Sequence, residues 1–147
     1  MSLHNLLREL SAGNSSMQMN GRVVHFEVPA KDMKRAKAFY SEVFGWKAND
    51  VGMPGMEYSL VSTTEVDKEG NPKSPGSING GMMKMVKPFT GPVITLQVDD
   101  ITLVLKSVET HGGKTVTKKT PMGEWGYFGY FKDSEGNLMG LFQGPTK

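Results

Sequence analysis

Length, composition and charge limit what this chain can be. Its 147 residues suffice for one compact domain, and the formal net charge of +2 without a conspicuous Lys/Arg cluster argues against a nucleic-acid partner. No cysteine is present, which excludes a disulfide framework, a thiolate zinc site and a cysteine nucleophile, and fits a reducing compartment. No run approaches the ~20 apolar residues of a membrane span, and no signal peptide is recognisable. We therefore expect a cytoplasmic protein without a membrane partner.

Residues 1–19 are expected to form a flexible tail. They carry leucines at helical spacing (Leu3, Leu6, Leu7 and Leu10), and the polar run SAGNSS follows. A short docking helix is the alternative interpretation of the leucines.

The stretch from Arg22 to Trp46 predicts a strand followed by a helix. Apolar and polar side chains alternate along the strand, with Val24, Phe26 and Val28 on one face and His25, Glu27 and Pro29 on the other. Asp32 is placed to cap the helix, whose apolar stripe is Met33, Ala36, Tyr40 and Val43, widened by Phe39 and Phe44. Gly45 can end it in the left-handed conformation. His25 and Glu27 therefore lie on the strand face turned away from the helix.

Three more strands complete the first half, and the pattern then restarts. The strands are predicted at 46–49, 56–62 and 77–85, with a polar loop at 63–76. The paired glycines Gly80 and Gly81 indicate a bulge or a close approach of another backbone. The second half has a strand at 93–98, a helix capped by Asp99 or Asp100 that ends at 111–113, and strands at 114–118, 125–131 and 138–142.

The order β-α-β-β-β thus occurs twice. Aligning Val28 with Val98 brings VHFEV onto ITLQV, each followed by an aspartate and an amphipathic helix. We predict an α+β fold in which two tandem βαβββ modules form a curved mixed sheet with a central cleft. A single domain would span residues 20–144, with module 1 at 20–86 and module 2 at 91–144.

Four segments carry a family resemblance: VVHFEVPAKDMKRAKAFYSEVFGW, VITLQVDDI, HGGK and YFKDSEGNLMGLF. Together they resemble the vicinal oxygen chelate superfamily, the group of glyoxalases, bleomycin-resistance proteins and extradiol dioxygenases. The resemblance covers Gly21 to Gln143. It implies the fold above, and small-molecule chemistry in the cleft.

Many members of that superfamily hold one divalent ion with His and Glu side chains, and the resemblance lets these positions be assigned here. His25 falls on the first-strand ligand. The fourth-strand position falls within Gly81–Met83, the fifth-strand position on Val93 and the last-strand position on Gly140, none of which offers a suitable ligand. A shift of two residues would bring Thr95 or Gln97 to the fifth-strand position, again without an imidazole or carboxylate. We expect no metal site and no cofactor.

The cleft should then be lined by polar and aromatic side chains. Strand parity makes His25 and Glu27 the candidates for acid–base catalysis, and the candidates for substrate binding are Tyr58, Thr95, Gln97, Phe128 and Tyr130. Structural roles compete with these functions: His25 can hydrogen-bond across the sheet, Glu27 can pair with a basic residue, and the aromatic strand can be core or interface.

Three functions compete. The first is a binding protein that captures a small organic molecule without a metal. The second is a lyase or isomerase of lactoylglutathione-lyase type that uses His25 and Glu27 as acid and base. The third, least favoured, is a metal-dependent enzyme such as a dioxygenase, which would need ligands from a second subunit or an unusual set such as Glu27 and Glu57. A homodimer is expected from the family resemblance, with the aromatic strand 125–131 as a candidate surface.

Overall fold

The computed structural model describes residues 21–53 and 56–145. These residues form β1 (Arg22–Ala30), α1 (Met33–Phe44), β2 (Lys47–Met53), β3 (Met56–Ser62), β4 (Gly80–Lys84), β5 (Val93–Gln97), α2 (Ile101–Thr110), β6 (Lys114–Pro121), β7 (Tyr127–Lys132) and β8 (Leu138–Gln143). The α+β class and the twice-repeated βαβββ order are confirmed. The predicted tail at 1–19 lies outside the described residues. Neither α1 nor α2 is long and apolar enough to cross a membrane.

The chain divides into two compact units. The first unit is Val24–Thr95, and the second comprises the rest, of which residues 21–23 and 96–145 are described. In the first unit the strand order is β2-β3-β4-β1, with β1 parallel to β4 and the other pairs antiparallel. In the second unit β8, β7 and β6 are neighbours in antiparallel pairs. Both parallel and antiparallel pairing therefore occur, as the sequence predicts for a mixed sheet.

Side-chain caps begin both helices where the sequence places them. Asp32 Oδ1 accepts a hydrogen bond from the Arg35 backbone N–H at 3.0 Å, and Gly45 ends α1 with a φ of 74°. Of the two aspartates offered for α2, Asp100 is the cap and accepts from the Leu103 N–H at 3.1 Å. Each cap satisfies a backbone donor that the helix itself cannot pair.

Each helix packs against one face of the strands in its own unit. In the first unit the buried core consists of Ala30, Met33, Val61 and Met82. In the second unit it consists of Val98, Ile101, Leu105, Phe131 and Leu141. Because side chains alternate across a strand, the residues between these positions lie on the face that the helix does not cover. This face is called the helix-distal face below.

A repeated turn adds to the evidence for duplication. The sequence DKEGN lies between β3 and β4, and DSEGN lies between β7 and β8. In the first turn Asp67 Oδ1 accepts from the backbone N–H groups of Glu69 and Asn71, both at 2.9 Å. In the second turn Asp133 Oδ1 makes the same two bonds, also at 2.9 Å. The two modules thus share a turn as well as an element order.

Two sequence-based expectations are wrong in detail. Trp125 does not open β7, because residues Gly123–Trp125 form a 3₁₀ turn and the strand starts at Tyr127. Val43 does not belong to the buried stripe of α1, and Phe39 and Phe44 do not widen it, since these side chains are 56%, 53% and 60% exposed. Consecutive helix residues point about 100° apart, so Phe39 lies well off the buried line of Met33 and Tyr40.

Leu105 tests the assigned core of the second unit. It is 6% exposed, so Leu105→Ala should lower the free energy of unfolding by about 3 kcal/mol through lost burial and a residual cavity. Thr102→Ala, an exposed change on the same helix, should alter it by less than about 0.5 kcal/mol. Urea unfolding followed by circular dichroism measures both. Equal effects of the two substitutions would contradict the assignment.

Candidate functional site

The helix-distal face of the first unit collects three of the predicted site residues. Glu27 is the Cα partner of Gly81 across the parallel pair β1–β4, and Tyr58 is the partner of Met83 across the antiparallel pair β3–β4. His25 lies two residues before Glu27 and so points to the same face. His25, Glu27 and Tyr58 are therefore brought together on one surface, with Gly81 and Met83 between them.

A hydrogen bond joins His25 to Tyr58 across an intervening strand. His25 Nε2 and Tyr58 Oη are 2.7 Å apart, although β4 lies between β3 and β1. The tyrosine must span about two strand spacings of roughly 4.8 Å each. It does so directly over Gly81, where an added Cβ would collide with the Tyr58 hydroxyl. The paired glycines do mark a close approach: an added Cβ at Gly80 would collide with the backbone oxygen and the ring of Phe26, whereas at Gly81 it is the Tyr58 side chain that approaches.

Burial controls the protonation of His25. The loss of water around the imidazole lowers its pKa from 6.5 to about 4. The ring is therefore uncharged at neutral pH, with one nitrogen a donor and the other an acceptor. The direction of the bond to Tyr58 depends on which tautomer is present. This matches the structural role weighed for His25, a histidine that hydrogen-bonds across the sheet.

Two further site candidates in the first unit are buried polar residues. Glu27 is 4% exposed and Thr95 is 6% exposed. Among the described residues just one other polar side chain is buried, that of Ser59, which donates to Asp50 Oδ1 at 2.5 Å. Glu27 also has an interaction within the chain. A buried carboxyl group without a partner is costly in free energy, and this interaction offsets that cost.

Phe128 and Tyr130 form an aromatic pair in the second unit. Their ring centroids are 5.9 Å apart in an edge-to-face arrangement, and Tyr130 is 5% exposed. Phe131, the next residue along β7, packs in the core beneath α2. The pair therefore lies on the helix-distal face of its unit, as strand parity predicts.

Gln97 lies at the end of β5 with a partner that the sequence did not reveal. Its Oε1 accepts a hydrogen bond from Arg22 Nη2 at 3.1 Å, and its backbone oxygen accepts from the Gly21 N–H at 2.7 Å. It also lines a cavity of about 340 Å³, whose other lining residues are Val98, Asp99, Gln143, Gly144 and Pro145. A single arginine at the first position of a strand gives no periodic signal, so the sequence did not mark Arg22 as a site residue.

The predicted residues thus fall into two groups. The first unit holds His25, Glu27, Tyr58 and Thr95, and the second holds Gln97, Phe128 and Tyr130.

The residues at the superfamily's metal positions do not fit a divalent ion. His25 is the one histidine among them, and its Nε2 is engaged by Tyr58. The described residues contain no group of three His, Cys, Asp or Glu side chains able to hold a metal. The alternative pair is also excluded, because the consecutive residues Glu57 and Tyr58 point to opposite faces of β3, which separates Glu57 from Glu27.

The lowered pKa of His25 predicts a stability that falls in acid. The unfolded chain takes up the proton near pH 6.5 and the folded chain near pH 4, so the stabilisation present above pH 6.5 is lost as the pH falls towards 4. Between pH 7 and 4.5 the wild type should lose about 2 kcal/mol more than His25→Gln, measured by urea unfolding. His111→Gln, at an exposed histidine, should follow the wild type. Parallel profiles for wild type and His25→Gln would contradict the assignment.

Comparisons with known proteins agree on one family. Residues 22–141 match the model of the Glyoxalase/Bleomycin resistance protein/Dioxygenase superfamily. A glyoxylase-like domain-containing protein of Didymella fabae is 29% identical over 136 residues, covering 89% of this chain and all of that protein. The glyoxylase CFP32 of Mycobacterium tuberculosis (strain CDC 1551 / Oshkosh) is 28% identical over 120 residues. The matched region covers 80% of this chain and 43% of that protein.

A solved structure shows the same fold. The crystal structure of methylmalonyl-CoA epimerase from Mycobacterium tuberculosis aligns with a TM-score of 0.59 and 16% identity, covering 86% of this chain and 89% of that one. The repeated βαβββ order, the shared turn and the family match over residues 22–141 lead to one conclusion. This chain belongs to the Glyoxalase/Bleomycin resistance protein/Dioxygenase superfamily.

Proposed function

We propose that the protein binds a small organic molecule on the helix-distal face of the first unit, without a metal ion. One observation carries the proposal: Glu27 is buried on the same face as the hydrogen-bonded pair of His25 and Tyr58. A chain selected for stability alone gains more from apolar side chains at such positions. The residues at the superfamily's metal positions do not fit a divalent ion, and this supports binding through hydrogen bonds instead.

The chemistry of this face favours a ligand with an uncharged oxygen-containing group, such as a carbonyl or a hydroxyl. Neutral His25 and the Tyr58 hydroxyl offer hydrogen-bond donors and acceptors but no positive charge that would attract an anion. Met83, the register partner of Tyr58, is a buried and flexible apolar neighbour of this group. A molecule with a carbonyl or hydroxyl group on an apolar body suits this combination. Thr95, which is also buried in the first unit, is proposed as a further polar contact, while the roles of Gln97, Phe128 and Tyr130 stay predictions from the sequence.

Matched probes test the site. Acetophenone presents a neutral carbonyl on an aromatic ring, whereas benzoate presents an anion of similar size. In ¹H–¹⁵N NMR titrations acetophenone should shift the amides of β1, β3 and β4 at lower concentrations than benzoate does. Tyr58→Phe should weaken its binding by about tenfold, the loss of one hydrogen bond of about 1.4 kcal/mol.

Tyr40→Phe is the matched control for that substitution. It removes the same hydroxyl from a tyrosine that stacks on Trp46 beneath α1, at 4.5 Å between centroids. It should leave the affinity for acetophenone unchanged. Equal binding of acetophenone to wild type and Tyr58→Phe would show that the site is assigned wrongly.

A second candidate function is an isomerase or lyase, favoured by the uncharged state of His25 two residues from Glu27. A carboxylate base can remove the proton from a carbon next to a carbonyl, and a neutral acid can protonate the resulting enolate. The removed proton returns to carbon in the product, so no oxidant or reductant is needed. Structures of methylmalonyl-CoA epimerases share this fold, and the superfamily includes glyoxalases.

Turnover assays test this second function. The substrates are methylmalonyl-CoA and the hemithioacetal of methylglyoxal and glutathione. If the protein is such an enzyme, Glu27→Gln and His25→Gln should each lower kcat by about 100-fold or more, since each removes one proton-transferring group. Glu57→Gln, on the opposite face of β3, should retain full activity. Full rates in both site variants would exclude these residues as acid and base.

A further inference from the structure

One buried nitrogen of the first unit has no hydrogen-bond partner within the chain. In the part of the chain that the structure describes, Asn79 Nδ2 is the one buried side-chain nitrogen or oxygen in this state. Leaving a buried amide donor unpaired is costly in free energy, and folded proteins pair nearly all such groups. Asn79 Nδ2 therefore calls for an acceptor that the described chain does not supply.

The contacts of Thr63 fix which end of the Asn79 amide is unpaired. Asn79 Oδ1 accepts from the Thr63 backbone N–H at 2.8 Å, and the Thr63 hydroxyl lies 3.2 Å from the same oxygen. A flipped amide would set its NH2 group against the Thr63 N–H, one donor against another. Because a backbone N–H can only donate, the oxygen must face Thr63. Both protons of Nδ2 are left for another acceptor.

The register of β1 and β4 places Asn79 beside His25. Glu27 is the Cα partner of Gly81 in this parallel pair, and His25 and Asn79 are the residues two positions earlier on each side. Neighbouring strands lie about 4.8 Å apart. Since residues two positions apart share a face, Asn79 belongs to the helix-distal face together with His25 and Gly81.

The packing at Gly80 shows that the two segments stay adjacent up to this point. An added Cβ at Gly80 would collide with the backbone oxygen and the ring of Phe26. Phe26 follows His25, and Gly80 follows Asn79, so the next residues back on each side are again neighbours. The unpaired donor thus lies next to the hydrogen bond between His25 Nε2 and Tyr58 Oη.

We propose that Asn79 Nδ2 donates a hydrogen bond to the oxygen of the bound molecule, and that this molecule is a carbonyl compound such as a ketone or an aldehyde. The inference rests on the proposed function, because it places Asn79 in the same site. A carbonyl oxygen only accepts, and its two lone pairs can take one proton from Asn79 and one from the His25–Tyr58 pair. A hydroxyl group must also place its own proton, which Nδ2 cannot accept.

The Asn79 side chain itself reports on this contact. In ¹H–¹⁵N spectra of the full chain its NH2 group gives a pair of cross peaks, which are assigned by their loss in Asn79→Asp. Titration with acetophenone should move one of these proton resonances downfield, because a hydrogen-bonded amide proton is deshielded. The movement should follow the same binding curve as the backbone amides of β1, β3 and β4.

Asn79→Asp tests the direction of the hydrogen bond. The substitution keeps an oxygen for the Thr63 N–H and replaces the unpaired donor with an acceptor. The affinity for acetophenone should fall about tenfold, whereas that for 1-phenylethanol should not fall, because its hydroxyl can donate to the introduced carboxylate. Asn49→Asp makes the same change at an exposed position on β2 and should leave both affinities unchanged.

Three outcomes would overturn the assignment of Asn79. Asn79 cross peaks that stay in place while the backbone amides move would exclude Asn79 and leave the proposed function standing. An equal loss of affinity for both probes in Asn79→Asp would show a structural role alone. A wild type that does not bind acetophenone would contradict the proposed function and this assignment together. Thermal melting followed by circular dichroism shows whether each variant is folded, and the wild-type titration does not depend on the variants.

Discussion

The packing of each helix on one face of its strands is the constraint from which the candidate site follows. Asp32 and Asp100 start the helices at set points after β1 and β5, and the apolar side chains of those helices bury one set of alternate strand residues. The other set, which includes His25, Glu27 and Tyr130, is thereby placed on the helix-distal face. A helix displaced by one residue would meet the strands with a different side of its surface.

The His25–Tyr58 bond shows how this chain differs from the metal-binding pattern of its superfamily. A donor on the fourth strand would project beside His25, but Gly81 at that point has no side chain, and the Tyr58 ring fills the space. The imidazole is consequently engaged by a neutral hydroxyl, and burial holds it uncharged. Hydrogen bonding to a neutral ligand and proton transfer both remain open to such a group, whereas the described donors do not match a divalent ion.

Some polar side chains of this molecule are buried and some large apolar side chains are exposed. Polar Glu27 and Thr95 are buried where apolar residues would cost less, while apolar Phe39 and Phe44 are exposed where polar residues would cost less. The first departure marks the proposed ligand site on the helix-distal face.

The sequence by itself determined the element order, the helix caps, the strand faces and the family, because these depend on local periodicity and on short motifs. It also indicated that something approaches Gly80 and Gly81 closely. Tertiary structure alone decided that Tyr58 is the group that crosses β4 to His25, that Arg22 binds Gln97 and that Phe39 is left exposed. These facts depend on which strands become neighbours and how far a side chain reaches between them, and periodicity along one strand carries no information about either.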